Sequence, residues 1–455
     1  MLLSDDPNVN LGANFGRMQR NVFCLDHQAL PSRQERTKLQ NSPFVHAIRK
    51  KLPANAPALV YSPYVRKKPV SDWRFFGREK ELDELVKSND NIVIVGGRRI
   101  GKTSLMMEAQ RRIQQRGESA YFISAMELRT KDQVTREIMQ KVSARDAAAA
   151  YKKNQILHEN LLSAVLQRLA SSRTRTTLLL DEIGNVFDDT SKEDWNYFGA
   201  FGKFASSGSL RIVLSCFSEE FHDQVIKFAG PFINFARTLR LRVFPEHEAR
   251  QLVISPLEFW TPLNEAEKTT LMDSITTTVG THPLLLQYYC MSLFEAVIKT
   301  RGHQSLVVSA RRILDNNDEM VACFDDPVEE IFYKLRWATL QYLFLRRCFE
   351  EKGPLRNSVI NDDWLHETLA DFGYTATTGD RRNLLDSLEM HGLCTALEHD
   401  RRRQLIASPI IYHYVQRTET SIPTLLERLK ADIPREARVW RLEEIRATAA
   451  REPMS

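Results

Sequence analysis

NIVIVGGRRIGKTSL, residues 91–105, runs from an apolar β-branched segment through a loop bounded by glycines into a helical pattern. Ile92, Val93, Ile94 and Val95 read as a buried strand of a parallel sheet. The loop fits G-x-x-x-x-G-K-T, in which Gly96 and Gly101 let the backbone turn its N–H groups toward a triphosphate. Leu105, Ala109 and Ile113 then recur every fourth residue until Gly117. A helix therefore starts where the loop ends, with its N-terminal dipole facing an anion. Gly96, Gly97, Arg98, Arg99, Ile100, Gly101, Lys102, Thr103 and Ser104 are expected to make up this phosphate cradle. Lys102 would reach the β- and γ-phosphates, and the Thr103 hydroxyl would ligate Mg²⁺.

A cradle of this kind needs carboxylates for the metal and for the attacking water. TTLLLDE, residues 176–182, supplies them at the end of a short apolar run. Asp181 would hold Mg²⁺ through its water shell, and Glu182 would orient or deprotonate the water. A site built only to retain ATP or ADP does not require Glu182, so hydrolysis is expected rather than passive binding.

Composition narrows the remaining classes. A chain of 455 residues, 43% hydrophobic and 27% charged, is long enough for two or three domains with cores of their own. No apolar stretch approaches a membrane span, and MLLSDDPNVN has neither a basic nor an apolar leader region, so a cytoplasmic protein is expected. Cys24, Cys216, Cys290, Cys323, Cys348 and Cys394 are scattered without C-x-x-C spacing and read as buried thiols rather than disulfides or zinc ligands. The net charge of +5 is spread along the chain, which permits nucleic-acid contact without arguing for it.

Five segments follow from the patterning. Residues 1–70 are polar and irregular, an arm expected to be partly disordered or to dock elsewhere. Residues 71–244 alternate strands, at 91–96, 119–124, 176–181, 210–215 and 238–243, with helices, the pattern of a parallel sheet covered on both faces. Residues 245–325 are helical. In 326–418, helices at 333–351, 363–369 and 381–390 precede a strand, an HDRRR turn and a second strand. Residues 419–455 form a charged tail of helical character.

In order, RFFGREKELDEL (74–85), GGRRIGKTSL (96–105), LLLDE (178–182), RIVLSCFSE (211–219) and GTHPLLLQ (280–287) resemble the STAND class of AAA+ ATPases. The similarity runs from about Tyr64 to Tyr414 and is nearest to the bacterial and archaeal branch related to origin-recognition and Cdc6 ATPases. It implies an α/β fold with sheet order 5-1-4-3-2, a helical lid over 245–325 and a winged helix over 326–418. It also places Phe76, Gly77 and Arg78 at the adenine, and Phe75 and Phe76 can at the same time act as a hydrophobic staple at a helix start. Gly280, His282 and Pro283 match the lid element whose proline meets the nucleotide; without the upstream motifs, the same residues would simply punctuate two helices. No arginine lies between Gly280 and Tyr289, which favours a switch over a fast motor.

By the same resemblance Ser215 would lie beside the γ-phosphate, with a strand-end hydroxyl as the equal alternative. Arg237, with Arg240 as substitute, would serve as an arginine finger in a neighbouring copy; a solvated or ion-paired surface arginine is the simpler alternative. Arg401, Arg402 and Arg403 at the wing tip would meet nucleic-acid phosphates, but Asp380, Asp386 and Glu389 suit a groove-reading helix poorly, so protein contact is favoured. The expectation is an ATP/ADP- and Mg²⁺-dependent switch that forms homo-oligomers and activates an effector, with antiviral defence as the role implied by resemblance. The rivals are a DNA loader or transposition helper and a scaffold that holds nucleotide without hydrolysing it.

Overall fold

The computed structural model describes residues 64–65, 68–71, 74–128, 130–142, 158–171, 174–186, 192–205, 209–216, 236–260, 263–299, 324–332, 343, 346–347, 359–371, 377–396, 403–405, 408, 410–412 and 414. These cluster into two compact units. One combines the stretch ending at Gly77 with Phe244–Val328 and Ser408–Tyr414; the other comprises Arg78–Val243 and Glu329–Ala407.

The second unit is built on a five-stranded sheet of β1 (Asn91–Val95), β2 (Ser119–Ser124), β3 (Thr176–Asp181), β4 (Leu210–Cys216) and β5 (Ala236–Arg240). All pairings are parallel and the order is β2-β3-β4-β1-β5, which is the expected 5-1-4-3-2 read from the other edge. Every residue of β3 and β4 is buried, as a continuous apolar run covered on both faces requires. The surrounding helices are α1 (Glu79–Lys87), α2 (Lys102–Gln115), α3 (Lys131–Val142), α4 (His158–Ala170) and α5 (Lys192–Ala205). On one face, Val134 and Ile138 of α3, Leu162 and Leu166 of α4 and Phe201 of α5 pack with Leu178, Leu180, Ile212 and Leu214 of the sheet.

Two sheet details fix the site. β5 begins two residues earlier than the alternation at 238–243 suggests, because Asn91 of β1 aligns with Ala236 and Val95 with Arg240; Leu241 then donates its N–H to Val95 O at 2.8 Å. The C-terminal end of α1 is held by three arginines from elsewhere: Arg116 reaches Val86 O at 2.9 Å, Arg175 reaches Ser88 O at 2.6 Å and Arg211 reaches Leu85 O. Cations at exposed helix carbonyls are favourable on dipole grounds. Burial lowers the Arg211 guanidinium to about 10, still charged at neutral pH.

The first unit holds α6 (Glu246–Trp260), α7 (Glu265–Val279) and α8 (Pro283–Lys299). Asn264 starts α7 through a reciprocal capping box with Glu267. Tyr64, fully buried, donates its hydroxyl to Val253 O at 2.7 Å, and Val65 N–H meets Gln287 Oε1 at 3.1 Å, so this end of the N-terminal arm docks on the helices. The chain then runs through α9 (Asp325–Phe332) to β6 (Val359–Ile360), α10 (Asp362–Asp371), α11 (Thr378–Met390), β7 (Cys394–Ala396) and β8 (Arg403–Leu405). The last three strands pair antiparallel in the order β6-β8-β7. Residues 1–63, most of the helix expected at 333–351, the 397–402 turn and the tail from 415 lie outside the described residues.

Cys216, Cys290 and Cys394 are buried thiols, as their apolar settings suggest. Among the described residues no helix is long and apolar enough to cross a membrane.

Candidate nucleotide-binding site

The loop between β1 and α2 takes the form its glycines permit. Gly101 has φ +103° with no heavy atom near a would-be Cβ, so its requirement is conformational; Gly97 is a matter of space, treated below. Arg99, a non-glycine at φ 57°, adds a second left-handed turn. Lys102 opens α2 and folds back over the loop, donating to Gly96 O at 2.7 Å and Gly97 O at 2.9 Å. Burial pushes its ammonium below the ordinary lysine range, and Asp181 and Glu182 oppose that shift. A buried cation resting on two loop carbonyls is one that an incoming anion could draw to itself.

The groups expected on the metal side converge. Thr103 Oγ1 donates to Asp181 Oδ2 at 2.7 Å, joining residues 78 apart in sequence. Ser215, fully buried at the end of β4, gives its hydroxyl proton to Asp181 Oδ1 and accepts the backbone N–H of Glu182 at 3.1 Å. This last bond helps hold Glu182 at φ 54°, a left-handed backbone that costs a side-chain-bearing residue about 1–3 kcal/mol and is maintained only where the surroundings enforce it. Burial raises the Glu182 carboxyl above the ordinary glutamate range and neighbouring Asp181 adds to the rise, while Lys102, Arg98 and Arg99 draw it down. Ammonium, hydroxyl and paired carboxylates are thus the donor set that a magnesium-bound polyphosphate needs, and the site fits that ligand.

Other expected residues sit elsewhere. Arg78, buried at the head of α1, directs its guanidinium to the main chain, to Ile100 O at 3.5 Å and to Arg242 O. Arg237 is the second residue of β5 rather than preceding it, and is ion-paired to Glu84 at 2.6 Å and to Asp90 at 3.4 Å. Arg240 is exposed on the same strand. In the first unit, a Cβ on Gly77 would meet Glu248 and Phe244 at 3.2 Å, and Phe76 is half-buried. Gly280 ends α7 at φ 68°, His282 Nδ1 accepts the Leu284 N–H at 3.3 Å, and buried Pro283 opens α8. Arg403 contributes backbone to β8; Arg401 and Arg402 lie outside the described residues.

One contact escaped sequence reasoning. The end of α11 lies against the phosphate loop: Gly97 donates its N–H to Met390 O at 3.1 Å. A Cβ at Gly97 would stand 2.6 Å from that oxygen and 3.0 Å from His391 Cα, so glycine is the residue this approach admits. Two ion pairs flank it, Arg242 with Glu389 at 2.9 Å and Arg99 with Glu330 at 2.8 Å. Met390 reads in sequence as one more apolar helix residue, and nothing in a single chain signals a loop nearly 300 positions away.

With this geometry in place, comparison with known proteins is informative. Residues 75–255 match the family described as an ATPase domain predominantly from Archaea. This segment is similar to archaeal ATPase domains of that family. The Walker-type ATPase PABY2304 of Pyrococcus abyssi superposes with a TM-score of 0.51 at 16% identity, over 77% of this chain and 99% of its own, a likeness of fold. The Aeropyrum pernix ORC2 protein in its ADPNP–ADP complexes gives 0.49 at 13% identity, covering 81% of this chain and 98% of its own. The A. pernix ORC1 protein in complex with DNA gives 0.38 at 15%, covering 78% and 94%. No curated protein matches the chain.

Proposed function

We propose that the chain is a nucleotide-controlled switch of the STAND type, which binds ATP with Mg²⁺, hydrolyses it slowly, and couples the nucleotide to the seating of its C-terminal module. The bond from Gly97 to Met390 carries this reading: the loop that would hold phosphates is also the floor on which α11 ends, so neither can change shape without the other. A ligand shifts such an equilibrium by its differential affinity for the two arrangements.

When bound, Mg²⁺ neutralises developing charge on the phosphates. Lys102 would leave the Gly96 and Gly97 carbonyls for the β- and γ-phosphate oxygens, and Thr103 and Asp181 would hold the metal and its water shell. Glu182 would take the proton of the attacking water, with its backbone held by Ser215. Phe76 and Gly77 border the base in this reading, 245–325 acts as a lid that reads the nucleotide through Pro283, and 326–418 is a winged helix. Arg237 would have to leave Glu84 and Asp90 to act as a finger in a second copy.

The test is ATP turnover and particle size, measured with and without duplex DNA. Slow turnover with nucleotide-dependent assembly that ignores DNA supports the switch. DNA-stimulated turnover would select the loader, and tight ATP binding without turnover the scaffold.

A further inference from the structure

We propose that Arg78 is a positioning residue that locks the phosphate loop and the anchor of the C-terminal module into one register. This inference rests on the nucleotide-switch reading and departs from the placement of Arg78 beside the base. Its backbone adopts φ 59°, and its carbonyl accepts the Leu82 N–H at the start of α1, which fixes the root of the side chain. The side chain is 5% exposed. Nη2 serves Ile100 O and Arg242 O together, and Nη1 lies 3.4 Å from Glu81 Oε1.

The two carbonyls belong to the two segments whose registration matters. Ile100 immediately precedes Gly101 and Lys102, so a donor on its oxygen sets the path of the loop into α2. Arg242 follows β5, and its own guanidinium holds Glu389, the residue before the carbonyl that takes the Gly97 N–H. A closed circuit results: Arg78 to Arg242 main chain, Arg242 side chain to Glu389, Met390 to Gly97, and Ile100 back to Arg78. A planar guanidinium can fork between two carbonyls in fixed geometry, whereas a lysine ammonium on a flexible stem loses that constraint. Hydrogen bonds from a charged group are among the stronger ones, so loosening one member is felt at the others.

The experiment is a double-mutant cycle on the full-length chain, with Arg78→Lys, Glu389→Gln and the double variant, read as dissociation rates of fluorescent ADP and fluorescent GDP. Arg78→Lys should speed release of both nucleotides by on the order of tenfold, the loss of one charged hydrogen bond, while the ratio between the bases stays that of the parent. The double variant should fall short of the product of the single effects by at least about threefold, and the shortfall should vanish in an Arg242→Ala background. Independent, multiplicative effects overturn the coupling. A changed base ratio places Arg78 at the base and overturns it equally. Should Arg78→Lys fail to fold, amide exchange of the Ile100–Lys102 segment in Glu389→Gln decides: faster exchange supports the circuit, and exchange at the parent rate breaks it. A parent chain that binds neither nucleotide overturns the underlying switch reading instead.

Discussion

Glu182 is held in a left-handed backbone by a serine hydroxyl that also serves the neighbouring aspartate, and its chemistry depends on that arrangement. Replacing Glu182 with Gln removes the proposed proton acceptor and leaves Lys102, Thr103 and Asp181 intact. Turnover should fall by about 10²–10⁴-fold while ATP affinity holds, measured by single-turnover hydrolysis beside equilibrium binding. The same carboxyl predicts a pH profile. Its pKa is raised by burial and by Asp181, and the base works when deprotonated, so kcat/KM should fall as pH drops through a value above the ordinary glutamate range. A limb at the ordinary glutamate value, or one that survives in Glu182→Gln, would assign the proton acceptor elsewhere. Lys102→Ala should abolish measurable ATP binding in an equilibrium assay, since it removes the buried cation of the loop.

Elements show which parts of this architecture a sequence can carry. Four of the five sheet strands lie within a residue of where the sequence pattern places them, and β3 and β4 most plainly, because a strand buried on both faces must be apolar along its length. β5 departs since its residues are largely exposed at a sheet edge; its start is set by alignment with β1, a tertiary constraint that leaves no periodic mark. Lys102 and Thr103 stand out by their spacing from the loop glycines and Asp181 by ending an apolar run, and the structure joins Thr103 to Asp181. The seat of Met390 was not legible, as it depends on a partner far along the chain, whereas the ion pairs of Arg237 match the simpler alternative that its sequence offered. The junction of loop and α11 can be tested at Gly97, whose backbone needs no left-handed conformation, so that its crowding comes from Met390 and His391. Gly97→Ala should force α11 off the loop. Faster amide exchange at Met390–Leu393 and a Tm lower by several degrees are expected, consistent with a loss of about 1–3 kcal/mol from overpacking. Parent-like exchange and Tm would mean that the contact carries no strain.

At the scale of the whole molecule, the claim is that nucleotide chemistry at one loop is converted into the position of a C-terminal module. The ion pairs beside the loop are partly exposed, Arg242 at 53% and Arg99 at 38%, so salt should weaken them and ease the module's release. Raising ionic strength from about one Debye length of 10 Å to one of 3 Å should therefore accelerate exchange of bound ADP, as followed by stopped-flow displacement. The most direct measurement is amide hydrogen exchange across Leu388–Leu393 in the full-length Glu182→Gln variant, with and without saturating Mg²⁺ and ATP. Release from Gly97 in the ATP-bound state should speed exchange in this segment at least about fivefold, the lower range of coupling between linked sites. Unchanged exchange with ATP demonstrably bound would separate the module from the nucleotide and contradict the switch.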